Sequence, residues 1–93
     1  MIKRNLVIIG YSNGFTLWAY NHDSDSKSLL AEGFFDEAAD MLRKGDHIHI
    51  TGKVQGIVFV SSIEEFRDET KPFAPLLGTS VGVKPMAKLH ELG

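Results

Sequence analysis

The sequence predicts an α+β domain that is mostly β: a small barrel or sandwich from two hairpins, with one covering helix and an extended C-terminal arm. Three observations carry that prediction. Apolar–polar alternation flanks two glycine-bearing turns, Asn13-Gly14 and Gly52-Lys53. Between the hairpins the spacing turns helical, with Phe35, Ala38, Ala39 and Leu42 on one face. Beyond Lys71, prolines and glycines interrupt every run without removing the large apolar residues. Ninety-three residues hold one domain of modest core. The organisation read from this is a compact β-rich domain over 1–63, a charged linker over 64–71 and an arm over 72–93.

Leu6-Val7-Ile8-Ile9 is apolar at successive positions, which suits a strand covered on both sides. Asn13-Gly14 supplies a turn that takes positive φ cheaply. In the return strand Phe15, Leu17 and Ala19 share one face, and Thr16, Trp18 and Tyr20 the other. Two aromatics on the second face place it against another layer or another chain. Asn21 to Ser28 is polar and reads as a loop. A helix over about 35–44 follows, with Asp36 and Glu37 in its first turn, Arg43 and Lys44 in its last, and Gly45 as its C′ residue. Ile48 and Ile50 then alternate with His47, His49 and Thr51. The return strand through Ile57-Val58-Phe59-Val60 is central.

The tail carries Pro72, Pro75 and Pro85 with Gly78 and Gly82, and also Phe73, Leu76, Leu77, Val81 and Val83. It is too broken for a regular element and too apolar for a free tail. Such an arm is marginally ordered on its own protomer and is expected to cross to a neighbouring chain. Removing it after Lys71 is then expected to leave the domain folded.

Composition narrows the function. Ten Lys+Arg against twelve Asp+Glu leave a net charge of −2, which argues against a dedicated nucleic-acid binder. With no cysteine there is no thiolate zinc site, disulfide or cysteine nucleophile. The apolar run Leu6–Ile9 is too short to span a membrane. His47-x-His49 puts two imidazoles on one strand face, but a metal site needs further ligands that no short offset supplies, and His22 and His90 are distant. Asn21, Asp23, Asp25 and Glu32 follow calcium-loop spacing, with Ser26 where the tight turn needs glycine. Both patterns read as solvated polar positions. No phosphate loop and no triad order are present. The expectation is therefore no enzyme, no cofactor and no metal.

One alternative comes from the aromatics. Trp18 and Tyr20, with Tyr11 nearby, form a stacking platform if they face solvent. Lys44 to Val54 also reads like a strand of an OB-type barrel, so an OB-like domain binding single-stranded nucleic acid is the second reading.

Leu17-Trp18-Ala19-Tyr20, then Gly33-Phe34-Phe35, then Ala38-Ala39-Asp40-Met41-Leu42-Arg43-Lys44-Gly45-Asp46, resembles a recurrent small module of tailed phages, prophages and phage-like particles. Phe34 stands where that module usually has tyrosine, and the likeness spans about Phe15 to Val60. The resemblance implies a virion structural role, as a capsid-surface decoration or head-fibre-base protein assembled in the bacterial cytoplasm. It implies a homo-oligomer, a trimer at a symmetry axis, bound to the major capsid protein or another virion protein. Trp18, Tyr20, Phe73, Leu76, Leu77, Val81 and Val83 are the expected interface residues.

Overall fold

The structure is a computed structural model and describes residues 1–67, 70 and 76–91; the side chains of Leu76 and Leu77 fall outside the description. A short 3₁₀ turn at Lys3–Asn5 leads into β1 (Leu6–Ser12) and β2 (Phe15–His22). α1 (Ser26–Leu29) follows, and a second 3₁₀ turn spans Asp36–Ala38. Then come β3 (His47–Gly52), β4 (Val54–Arg67), β5 (Leu76–Pro85) and β6 (His90–Glu91).

The strands form one six-stranded sheet in the order β1-β2-β3-β4-β5, with β6 on β4. It is not a closed barrel. Both expected hairpins are present. Ser12 pairs with Phe15 across Asn13-Gly14, and β3 pairs antiparallel with β4 across the turn at Gly52-Lys53. Gly14 and Gly52 take φ values of +103° and +96°, the region glycine occupies without strain. The hairpins join in parallel, Trp18 beside Ile48 and Tyr20 beside Ile50. A parallel joint needs a long crossover, which residues 23–46 supply.

That crossover is the second layer. Leu29, Phe35, Ala38 and Leu42 cover Trp18 and Tyr20 of β2, Ile48 and Ile50 of β3, and Val54, Val58 and Val60 of β4. The helical face is thus the buried one, as its spacing requires, while the expected helix over 35–44 is reduced to the turn at Asp36–Ala38 and irregular turns after it. The N–H groups of Ala38, Ala39 and Met41 go to carbonyls three residues back, and only Leu42 makes a four-back bond. The Arg43 N–H then donates to Asp46 Oδ2 at 3.1 Å, which ends the helical bonding before Gly45. Gly45 has φ +95°, as its place at the end of the segment predicts.

Three further expectations are corrected. Residues 21–28 are not all loop: β2 runs through His22, and Asp25 caps α1 by accepting the Ser28 N–H at 2.8 Å. The linker over 64–71 begins inside a strand, because β4 continues to Arg67. The arm is not too broken for a regular element: its residues Leu76–Pro85 form β5, which pairs antiparallel with β4 from Val58↔Pro85 to Arg67↔Leu76. Proline is no obstacle there. Pro85 ends the strand, Pro72 and Pro75 precede it, and Gly82 lies against Ser62, whose Oγ a Cβ would meet at 2.5 Å.

Candidate functional site

Of the expected interface residues, the four whose side chains are described, Trp18, Tyr20, Val81 and Val83, pack into or against the protein's own core. Trp18 and Tyr20 are 6% and 3% exposed and belong to the core under the crossover layer. Val81 is buried against the same core, and Val83 is half-buried beside it. Leu76 and Leu77 lie on β5, and Phe73 lies outside the described residues. Trp18 and Tyr20 therefore cannot form the exposed stacking platform that the OB-like reading needs, because the face they share is covered.

Among the described residues no buried side-chain polar atom lacks a hydrogen-bond partner. Asp46 is buried, and its carboxylate accepts the Thr16 N–H at 3.0 Å, the Trp18 indole N–H at 3.0 Å and the Arg43 N–H at 3.1 Å. Three donors hold β2 to the end of the crossover. Tyr20 accepts the Ile2 N–H on its hydroxyl at 3.0 Å, and its ring meets Phe34 and Phe35 edge-on. Asp36 accepts the Val81 N–H at 2.7 Å and so fastens the 3₁₀ turn to β5.

The histidines do not converge. His22 is buried with Nε2 on the Asp25 carbonyl at 2.8 Å and Ser28 Oγ at 3.1 Å. His47 stacks on Phe15 at a centroid distance of 4.0 Å, and His49 is exposed. Among the described residues no three His, Asp or Glu side chains gather as a metal-ion site. Of the calcium-loop pattern, Asp25 is engaged as the α1 cap. Ser28 holds its carboxyl below the usual range through the backbone N–H first and the hydroxyl second. Glu91 is lowered likewise by the Ser26 hydroxyl and N–H.

The most exposed apolar surface lies where the sequence reading placed a covered strand. β1 is a sheet edge, and Val7, Ile8, Ile9 and Tyr11 are 52%, 47%, 53% and 79% exposed. β1 carries no charge and no proline, the usual devices that blunt an edge; its one irregularity is a bulge between Ile8 and Gly10. Beside it is a groove of about 960 Å³, between the β1–β2 hairpin and the segment from Met41 to Asp46. Leu6, Ile8, Phe15 and Met41 supply apolar lining, and the exposed Arg43 and Lys44 stand at its rim. Asp46 also borders it, with both carboxylate oxygens already engaged. An apolar run four residues long predicts burial without saying by what, so the sequence held the signal for this surface but not its location. Compared with known protein families, curated proteins and solved structures, the chain matches none.

Proposed function

We propose that the chain is a non-enzymatic structural component of a tailed-phage-like virion, a capsid-surface decoration or fibre-base protein that binds the shell and its own copies. The observation that carries this reading is the uncharged edge strand β1 with its four exposed apolar side chains beside an apolar groove. Such a surface suits docking to protein, and concentrated exposed apolar residues are the usual mark of an interaction face. The motif behind the phage resemblance supports it in a second way. Trp18, Phe35, Leu42 and Asp46 are engaged in packing and hydrogen bonding, as expected of a module whose shared residues maintain a scaffold.

The test is co-sedimentation of the purified protein with purified heads of phage-like particles from the host that encodes it, using heads stripped of accessory proteins. Saturable binding at a fixed ratio to the major capsid protein is expected. Failure to sediment with heads, together with tight binding to single-stranded oligonucleotides, would transfer the assignment to the nucleic-acid reading.

A further inference from the structure

We propose that Phe66 and Glu64 of one copy dock into the β1-side groove of the next, giving a head-to-tail assembly. This rests on the reading above that the chain assembles with its own copies, and it names the surfaces used. The first half of the contact is the groove, with its apolar lining of Leu6, Ile8, Phe15 and Met41 and its cationic rim of Arg43 and Lys44. Arg43 and Lys44 outnumber the Asp46 carboxylate, whose oxygens face inward on three N–H donors, so the groove presents net positive charge in a chain whose own net charge is −2.

The second half lies on β4, three places from β1 in the sheet order. β4 leaves β3 after Phe59 and continues to Arg67 with β5 as its partner. On that extension Glu64 pairs with Ser80 and Phe66 with Gly78, so two protruding side chains stand opposite small ones on one face. Phe66 is 51% exposed. Glu65 and Arg67 point to the other face and pair at 3.3 Å, whereas Glu64 has no ion pair among the described residues. An aromatic ring with a carboxylate two residues away thus matches an apolar groove with two cations at its rim.

The two surfaces belong to β1 and β4, which β2 and β3 separate, so one copy presents both halves to different neighbours. A contact between unlike surfaces is heterologous and closes into a ring when its rotation divides the circle. Extending the sheet from β1 onto a neighbour's β5 would have to accommodate Asp36, which occupies the Val81 N–H in the middle of that edge.

Sedimentation velocity across a concentration series tests this on the full chain. Phe66→Ala, Glu64→Lys and the paired rim reversal Arg43→Glu with Lys44→Glu are each expected to weaken self-association at least tenfold. Circular dichroism melts at a dilution where every protein is monomeric should match wild type, since all four side chains are exposed on the single chain. Combining Glu64→Lys with the rim reversal should restore association. A monomeric wild-type chain, or an oligomer indifferent to these variants, overturns the inference. Shell binding is read separately: a chain that sediments with heads while its self-association ignores these residues refutes this contact alone. A chain that self-associates through them without binding heads supports the contact and refutes the virion reading.

Discussion

The indole N–H of Trp18 donates to Asp46 Oδ2 at 3.0 Å, a buried bond between residues 28 positions apart. It couples the first hairpin to the residue that opens the second, and the same carboxylate takes the Thr16 and Arg43 N–H groups. Asp46 thereby sets where the crossover stops and β3 begins. Its own N–H donates to the Arg43 carbonyl, and its carbonyl accepts the Val60 N–H at 2.8 Å.

Removing that acceptor leaves three donors without a partner. At about 1–3 kcal/mol for a buried group left unsatisfied, Asp46→Ala should cost about 1–3 kcal/mol through the buried Trp18 indole N–H, with smaller additions from the partly buried Thr16 and Arg43 N–H groups. Asp46→Asn should cost less, because one oxygen remains. Trp18→Phe should cost less than Asp46→Ala, because the carboxylate keeps two donors. Urea titrations followed by far-ultraviolet circular dichroism give the ranking. An Asp46→Ala variant as stable as wild type would show that the carboxylate is dispensable to the fold.

Two glycines with nearly the same φ should respond differently to alanine. A Cβ at Gly45 meets nothing within 4 Å, so Gly45→Ala carries only the backbone cost of about 1–2 kcal/mol. At Gly52 the added carbon runs into the His22 carbonyl as well. Gly52→Ala should therefore destabilise more than Gly45→Ala in thermal melts. Equal melting temperatures would contradict the packing of the β3–β4 turn against the end of β2.

The hairpins are legible in the sequence because their determinants are local. Asn13-Gly14 and Gly52-Lys53 announce turns, and the alternation around Ile48 and Ile50 announces a face. The burial of Phe35, Ala38 and Leu42 is legible for the same reason. Whether the segment is a regular helix is not, because the same apolar spacing fits the three-back turns it adopts, and its end is set by Asp46 taking the Arg43 N–H from outside it. β5 is hidden by its own composition. Gly78 and Gly82 look like breakers until Phe66 and Ser62 stand opposite them. The candidate site is the least legible, since the apolar run in β1 reads the same whether a second layer or a second molecule covers it.

Acid should act on the contact between α1 and the C-terminal strand. Asp25 and Glu91 are both depressed in the folded chain, by Ser28 and by Ser26 respectively. Their contribution is present above the unfolded values, about 3.9 for Asp and 4.3 for Glu, and is lost as pH falls through the lower folded values. Melting temperature should therefore drop on acidification from about pH 4 downward. The double variant Asp25→Asn with Glu91→Gln should start lower at neutral pH and lose less over that window. Parallel acid profiles for the two proteins would contradict these roles.

Deleting residues 72–93 should abolish cooperative folding. The deletion takes Val81 from the core and leaves β4 beyond Phe59 without β5. A truncated chain that melts cooperatively near the wild-type temperature would mean that β5 is an accessory arm after all.

The virion assignment is tested most directly by quantitative peptide mass spectrometry of density-purified phage-like particles from the encoding host. The account predicts that this chain bands with the particles at a fixed ratio to the major capsid protein and survives repeated banding. Particles free of the chain, with all of it left in the soluble lysate, would contradict it.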